Sequence, residues 1–237
     1  KRITAAAVKP PAAKSTADVI VLCGVYFMAE SAALLAAGRT VLIPDANAGC
    51  PMANMATVRE LREWKARHPR ATLVAYVNSS AAVKAESDIC CTSANAVAVV
   101  NSLPREAEIL FLPDQSLGDW VNRQTGRQMH VWPGFCPTHH RILAPFVEQV
   151  KREHPEARVL AHPECTRDVV EAADAVLSTA QMLRHVRAQP QQRVEPARHA
   201  GRPVMGAAIG AEADVDRNRH PPALGDVEQV FHCLHDA

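Results

Sequence analysis

Short apolar runs rich in Val, Ile and Leu alternate along the chain with stretches in which apolar residues recur every three to four positions. The first pattern is typical of buried strands and the second of amphipathic helices. Strands are predicted at about 18–24, 40–44, 72–77, 88–91, 107–112, 128–131, 157–161 and 174–177. Helices are predicted at about 28–37, 57–68, 94–102, 116–125, 139–153, 166–172 and 179–186. Alternating βα units of this kind indicate an α/β protein built on parallel sheets.

Local signals support two of the predicted helix starts, and the composition changes at both ends of the chain. Thr57 is followed three residues later by Glu60, which is the spacing of a capping box. Thr166 is a residue type that commonly caps a helix N-terminus. Residues 1–17 are rich in Ala, Lys and Pro and are predicted to be disordered or weakly helical. Residues 188–237 combine many Pro and Arg without a strand or helix period, which predicts an irregular tail.

Composition limits the class of protein and its partners. The chain has 237 residues, of which 48% are hydrophobic but only 4% aromatic, so the core must be built from Ala, Val and Leu. The net charge of +1 gives no electrostatic basis for binding nucleic acid or an anionic membrane. No apolar run is long enough for a transmembrane helix, and the first residues lack the apolar segment of a signal peptide. Seven cysteines without disulfide-type spacing predict a reducing cytoplasm.

Two cysteines lie in short motifs that contain proline. Cys50 stands in Ala-Gly-Cys-Pro-Met-Ala-Asn-Met, and Cys136, 86 residues later, stands in Trp-Pro-Gly-Phe-Cys-Pro-Thr-His-His. A Cys-Pro pair just after an apolar run places the thiolate at a strand-to-helix junction, where backbone N–H groups stabilise an anion that binds iron. Two alternatives remain open at this stage. The pair could be buried structural thiols, or the two cysteines could hold zinc.

Three further motifs join the two cysteine motifs. They are Tyr76-Val77-Asn78-Ser79, Thr92-Ser93-Ala94-Asn95-Ala96 and His162-Pro163-Glu164-Cys165. Together the five motifs resemble quinolinate synthase, in that family's order and spacing, over residues from about 17 to 187. The resemblance implies an iron–sulfur enzyme of NAD biosynthesis that joins iminoaspartate to dihydroxyacetone phosphate and releases phosphate and two waters. It also implies L-aspartate oxidase or aspartate dehydrogenase as the enzyme that supplies iminoaspartate.

The resemblance implies a particular architecture. Quinolinate synthases consist of three similar Rossmann-like αβα lobes around a pseudo-threefold axis, and each lobe supplies one cluster cysteine. On this basis residues 18–50 are expected to be the remnant of an incomplete first lobe, 51–136 a second lobe and 137–187 part of a third. A weak internal repeat agrees, since Pro44-Asp45 and Pro113-Asp114 each end a predicted strand.

The resemblance also implies a [4Fe–4S] cluster with Cys50 and Cys136 as two of its three ligands. A third ligand is expected one lobe further on, near position 222, which is Pro222. Cys233 is the nearest cysteine, but it lacks the Met-Lys or Met-Asn sequence that follows the family's third ligand, and it is not assigned as one. A shift of reading frame somewhere near residue 188 would explain both the missing cysteine and the irregular tail.

Three residues are expected to carry the acid–base chemistry. The resemblance implies that Tyr76 exchanges protons with an enolate or alkoxide, that Glu164 acts as the general base, and that His162 contacts a substrate carboxylate or hydroxyl. His162 and Glu164 lie two residues apart, so on extended backbone their side chains point the same way. The ordinary alternatives are a core Tyr with a hydrated hydroxyl and a surface Glu.

The resemblance implies that five residues that follow predicted strands bind substrate, at the carboxyl edge where parallel sheets bind ligands. They are Asn78, Ser93, Asn95, Ser178 and Thr179. Simple helix caps are the alternative for the Ser and Asn residues. His139 and His140 are assigned to packing at a helix start. The rival to an active enzyme is an inactive fragment that binds at most a phosphate ligand.

Overall fold

The computed structural model describes residues 14–188, 192–199 and 202–212. The chain divides into two compact units, residues 1–137 and 138–237. Of the predicted leader, residues 1–13 lie outside the described part of the chain.

The first unit opens with a small parallel sheet. Its strands are β1 (Val19–Val21) and β2 (Thr40–Leu42), and helix α1 (Tyr26–Leu35) connects them. Ala32 and Ala36 are buried against this sheet. Parallel sheets are normally covered on both faces, yet Val19 and Val21 are 51% and 60% exposed. The described residues therefore leave an apolar surface of this sheet uncovered.

A four-stranded parallel sheet forms the centre of the first unit, with its strands in the order β4-β3-β5-β6. The strands are β3 (Thr72–Tyr76), β4 (Ile89–Cys91), β5 (Ile109–Leu112) and β6 (His130–Val131). The helices are α2 (Val58–Arg67), α3 (Ala81–Ala85), α4 (Ala96–Asn101) and α5 (Gln115–Thr125), and a 3₁₀ turn spans Met52–Asn54.

Both faces of this sheet are buried. Because side chains alternate along a strand, Val74 and Tyr76 enter a core cluster with residues of α4 and α5, including Val100 and Leu117. Leu73 and Ala75 point to the opposite face, where they enter a second cluster with residues of α2 and α3. The helix residues of this cluster include Leu61, Trp64 and Val83. The arrangement is a three-layer αβα lobe, and it confirms the predicted Rossmann-like α/β class.

Side-chain caps fix the helix starts of this lobe. The predicted capping box is present, since the Glu60 N–H donates to Thr57 Oγ1 (3.3 Å) and the Thr57 N–H donates to Glu60 Oε2 (3.4 Å). Helix α3 was not predicted, because five residues are too few for a helical period to show. Its start is set by Ser80, whose Oγ accepts from the Val83 N–H at 3.2 Å.

The second unit contains a four-stranded sheet in the order β8-β7-β10-β9. Strands β7 (Arg158–Ala161) and β8 (Ala175–Val176) are parallel. Its helices are α6 (Pro137–His140, which begins at the unit boundary), α7 (Ala144–Glu153), α8 (Arg167–Ala172) and α9 (Thr179–Arg187). Thr166 occupies the N-cap position of α8, but its side chain makes no capping hydrogen bond.

The structure corrects two predictions for this unit. The helix predicted over 139–153 is interrupted, because Pro145 lacks an N–H and is tolerated in the first turn of α7 but not inside a continuous helix. The tail predicted as irregular contains strands β9 (Gln192–His199) and β10 (Arg202–Glu212). They pair antiparallel with each other, and β10 pairs antiparallel with β7. These strands form by pairing along the edge of β7, a long-range interaction that no local sequence period reports.

The helices in the part of the chain that the structure describes are all too short or too polar to cross a membrane.

Candidate functional site

The two cysteine motifs of the first unit lie in loops that are tied together. Cys50 precedes the 3₁₀ turn Met52–Asn54, and Met55 is the C-cap of this turn. Cys136 follows β6. The Met55 carbonyl accepts from Trp132 Nε1 at 2.9 Å, and the Met55 sulfur accepts from the Phe135 N–H at 3.3 Å. Met55 therefore fastens the loop of Cys136 to the loop of Cys50.

Both thiols are half-buried against one hydrophobic cluster. Cys50 and Cys136 pack against the core cluster that contains Met52, Tyr76 and Cys91. Cys91 itself is fully buried, and burial raises the pKa of its thiol far above the usual value, as expected of a packing cysteine. The structure thus places Cys50, Cys136 and Tyr76 around the same part of the first unit.

Asp114 positions the backbone of Cys136. This fully buried carboxylate accepts from the Leu117 N–H (2.7 Å) at the start of α5 and, through its other oxygen, from the Cys136 N–H at 3.1 Å. The Gln115 N–H donates to the Gly134 carbonyl at 2.7 Å, which extends the link. The sequence showed Asp114 only as half of a Pro-Asp repeat, and its role in holding a cysteine loop was missed.

Gly134 lets this loop pass close to the preceding one. A Cβ at this position would lie 2.5 Å from the Pro113 carbonyl oxygen and 3.3 Å from Cβ of Met55. The first distance is shorter than any real Cβ contact, and a backbone carbonyl cannot swing aside as a flexible side chain can. Glycine is therefore required here by space.

We expect Gly134→Ala to lower the free energy of unfolding by about 1–3 kcal/mol, the usual cost of forcing a methyl group into a packed site. Urea denaturation of the two proteins measures the difference. Gly49→Ala is the matched control in the loop of Cys50, because its Cβ would meet nothing closer than 3.6 Å. Equal stability of Gly134→Ala and the wild type would show that the two loops are not packed as described.

Tyr76 and Asn78 lie at the carboxyl end of β3. Tyr76 is buried, with 5% of its surface exposed, and its carbonyl accepts from Ser79 Oγ at 2.8 Å. Val77 continues the sheet by donating its N–H to the Cys91 carbonyl at 2.9 Å. Asn78 follows directly, at the sheet edge where ligands of parallel sheets bind.

Ser93 and Asn95 follow β4, as predicted, but Asn95 has a local role. Its Oδ1 accepts from both the Thr92 N–H (2.6 Å) and Thr92 Oγ1 (2.8 Å), so this oxygen stabilises the turn before α4. Helix α4 has no side-chain cap from Asn95. The Asn95 oxygen is thus used within the turn. A ligand contact from this residue would have to come from its Nδ2 group.

The predicted acid–base residues of the second unit follow β7. His162 and Glu164 are buried, with 5% and 3% of their surfaces exposed. The His162 ring stacks on the His139 ring with 4.9 Å between centroids, and His139 Nδ1 lies 2.9 Å from Glu164 Oε2. His139 thereby holds the Glu164 carboxylate in place.

His162 is a neutral hydrogen-bond donor. Burial lowers its pKa to about 4, against the opposing attraction of the Glu164 carboxylate. Its Nδ1 accepts from the Glu164 N–H at 3.3 Å, so the ring proton resides on Nε2. Above about pH 5 the imidazole therefore offers an N–H rather than a positive charge.

The contact between His139 and Glu164 was not predicted. His139 was assigned to packing at a helix start, and it lies in α6. The missing signal was tertiary, because the contact with Glu164 joins residues 25 positions apart in the sequence. The only local sign of this contact in the sequence was the position of the histidine directly after Cys-Pro-Thr.

Ser178 and Thr179 follow β8 at the start of α9. The Ser178 N–H donates to Gln181 Oε1 at 2.8 Å, and Ser178 is 4% exposed. Ser178 and Gln181 are arranged as a capping box, but within the described residues no hydrogen bond of ordinary length and angle reaches the buried Ser178 Oγ. A buried hydroxyl of this kind at a helix start is suited to bind an anionic oxygen.

One offset of 86 residues relates most of the candidate site positions. In the first, the Leu73 N–H donates to Asp88 Oδ2 at 2.9 Å; in the second, the Val159 N–H donates to Asp174 Oδ2 at 2.7 Å. The strand pairing repeats at the same offset, since Val74 lies opposite Ile89 in the first unit and Leu160 lies opposite Ala175 in the second. The same offset relates Cys50 to Cys136, Tyr76 to His162, Asn78 to Glu164 and Ser93 to Thr179.

Eight of the ten predicted site residues therefore form four pairs at corresponding positions of an internal repeat, each beyond a strand. Within the first unit lie Cys50, Tyr76, Asn78, Ser93, Asn95 and Cys136, and within the second lie His162, Glu164, Ser178 and Thr179. Cys233, which the sequence did not assign as a ligand, lies outside the described residues.

Comparisons with known proteins give a consistent result. The family model described as quinolinate synthetase A protein matches residues 6–196. The quinolinate synthase of Geobacter metallireducens is 56% identical over 182 residues, and that of Geotalea uraniireducens is 57% identical over 182 residues. Both alignments cover 77% of this chain and 60% of the relative, so the chain spans about 60% of the length of these proteins.

Quinolinate synthase 1 of Methanosarcina acetivorans aligns over more of the chain. It is 44% identical over 228 residues, which is 96% of this chain and 69% of the relative. An alignment of this length extends past residue 188, into the segment that contains β9 and β10.

Proposed function

The chain belongs to the quinolinate synthase family, and on that premise we propose that it condenses iminoaspartate with dihydroxyacetone phosphate to form quinolinate. The reaction releases one phosphate and two waters and belongs to de novo NAD biosynthesis. L-Aspartate oxidase or aspartate dehydrogenase would supply the iminoaspartate. The observation that carries the proposal is the pair of cysteine loops joined through Met55, together with the Glu164 carboxylate held by His139.

Glu164 has the environment of a general base. Closing the pyridine ring requires protons to be removed from carbon and nitrogen, and a buried carboxylate in a fixed position accepts protons efficiently. His139 fixes the carboxylate through Oε2, at 2.9 Å. We assign the other oxygen, Oε1, to proton transfer.

His162 and Tyr76 are assigned to the oxygen atoms of the substrates. The neutral His162 donates its Nε2–H to a carboxylate or hydroxyl oxygen without adding a charge to the site. Tyr76 donates its phenolic proton to an oxygen on which negative charge develops, and such a donor stabilises an enolate or alkoxide. Both side chains are almost completely buried, so water competes weakly for these hydrogen bonds.

The phosphate group and the remaining oxygens are assigned to residues that begin helices or follow strands. Ser93, Ser178 and Thr179 offer hydroxyl groups, and Asn78 and Asn95 offer amide N–H groups. The unpartnered Ser178 Oγ is the strongest of these. Helix N-termini favour anions because their first backbone N–H groups are not used within the helix.

Cys50 and Cys136 fit an iron–sulfur cluster by their chemistry and surroundings. They are two half-buried thiols in tied loops against an apolar cluster, and thiolates in partly apolar surroundings are the usual ligands of such clusters. A bound [4Fe–4S] cluster would supply an electrophilic iron for substrate oxygens. The described residues supply two of the three thiolates that the family uses.

An anaerobic assay tests this function directly. The purified chain, reconstituted with iron and sulfide, is supplied with dihydroxyacetone phosphate and with iminoaspartate generated from oxaloacetate and ammonia, and quinolinate is measured by mass spectrometry. We expect quinolinate in amounts that exceed the protein. The chain spans about 60% of the length of these relatives. The second candidate is an inactive fragment that binds at most a phosphate ligand. Phosphate binding without quinolinate would establish that candidate.

A further inference from the structure

Three potential metal ligands meet at the amino edge of the central sheet of the first unit. His68 directly follows α2, Glu108 directly precedes β5, and His130 is the first residue of β6. The Glu108 carbonyl also accepts from the Thr72 N–H (2.9 Å) at the start of β3, which fixes the backbone there. None of these side chains was singled out by the sequence motifs.

One carboxylate oxygen serves both imidazoles. Glu108 Oε1 lies 2.6 Å from His68 Nδ1 and 3.1 Å from His130 Nε2. The three ligand atoms all lie within 4.8 Å of one another. The side chains of His68, Glu108 and His130 are 21%, 40% and 47% exposed, so an ion from solvent can reach them.

The two rings are close and partly fixed. Their centroids are 4.3 Å apart with a tilt of 41°, and the His68 and Trp64 rings form a T-shaped pair with 6.4 Å between centroids. The hydrogen bond from His68, with a smaller one from His130, holds the pKa of Glu108 below its usual range.

We propose that His68, Glu108 and His130 form a binding site for a divalent transition-metal ion, with zinc as the preferred occupant. Two imidazole nitrogens and one carboxylate oxygen are a donor set that suits zinc and other first-row ions. Zinc–ligand bonds of about 2.0–2.2 Å place tetrahedral ligand atoms roughly 3.3–3.5 Å apart. The distance between His68 Nδ1 and Glu108 Oε1, now 2.6 Å, would therefore increase by less than about 1 Å, which exposed side chains allow. Water would complete the coordination.

This site is separate from the cysteine loops. Those loops follow the carboxyl ends of the strands, while His68, Glu108 and His130 lie at the amino ends. The five residues of β3 span roughly 13 Å at 3.3 Å per residue. A bound ion would join the end of α2 to the starts of β5 and β6, and it would add to any metal held by the cysteines.

The internal repeat provides a matched control. His154 follows α7 as His68 follows α2, 86 residues earlier, and its side chain is 46% exposed. Its nearest carboxylate is Glu156, at 3.8 Å, and within the described residues it belongs to no group of three ligands.

Zinc titration of the chelator-treated full chain by isothermal calorimetry tests the site. We expect His130→Ala and the isosteric Glu108→Gln each to lose one zinc equivalent per chain, or to bind it at least tenfold more weakly. His154→Ala should bind zinc as the wild type does. Zinc held by cysteines contributes equally to all four proteins and cancels in the comparison.

Circular dichroism shows whether each variant is folded, and Glu108→Gln conserves the shape of the side chain in case His130→Ala does not fold. Equal zinc stoichiometry and affinity in the wild type and in folded Glu108→Gln would overturn the proposal. So would an equal loss of zinc in His154→Ala.

Discussion

Glu164→Gln is expected to lower kcat for quinolinate formation by about 10²–10⁴-fold, the usual contribution of a positioned general base. The amide has nearly the same size as the carboxylate but cannot accept the proton. Because the side chain is buried and 2.9 Å from His139 Nδ1, the amide oxygen can still accept a hydrogen bond from this ring. The fold and the iron content should therefore remain those of the wild type. Steady-state rates, iron content and circular dichroism measure the three quantities.

A surface glutamate provides the control for this substitution. The side chain of Glu156 is 59% exposed and faces His154 at 3.8 Å, a pair that resembles the Glu164 and His139 pair only in composition. Glu156→Gln should leave kcat unchanged. A Glu164→Gln enzyme with kcat within threefold of the wild type would show that another group removes the protons.

The second large effect is expected from the cysteines. Cys50→Ser and Cys136→Ser should each lose the iron that the wild-type chain takes up on reconstitution, together with quinolinate formation. A serine hydroxyl remains protonated at neutral pH and is a poor ligand for the cluster iron, which thiolates bind. Iron and sulfide analysis of the reconstituted proteins measures the loss.

Cys23→Ser is the matched control for these variants, because Cys23 is an exposed thiol distant in sequence from both motifs. It should retain the wild-type iron content. If Cys136→Ser bound iron as well as Cys23→Ser does, the assignment of Cys136 would be wrong.

The periodicity of the sequence was sufficient to predict all eight strands before residue 188. Buried parallel strands are continuous apolar runs, as in Leu73 to Tyr76 and Ile109 to Leu112, and such runs are visible without any tertiary information. The start of α2 was predictable for a similar reason, since the Thr57 and Glu60 pair is a local motif.

One failure has a long-range cause and the other a local one. Strands β9 and β10 form through pairing with β7, where Ala207 lies opposite Ala161. The break before α7 follows from Pro145, a single residue inside an otherwise amphipathic stretch. Neither feature alters a local hydrophobic period enough to be recognised.

The candidate site shows the same division. Candidate residues such as Cys50 and Glu164 could be selected because they stand in recognisable short sequences. Asp114 and His139 act through contacts with residues 22 and 25 positions away, so the sequence showed the residues but not their roles.

The central claim is that Cys50 and Cys136 belong to the iron–sulfur site of a quinolinate synthase, and anaerobic reconstitution of the wild-type chain tests it most directly. The account predicts broad visible charge-transfer absorbance and about four irons with about four sulfides per chain, as for a [4Fe–4S] cluster. A colourless protein that takes up no iron, or one that holds only zinc through Cys50 and Cys136, would contradict it.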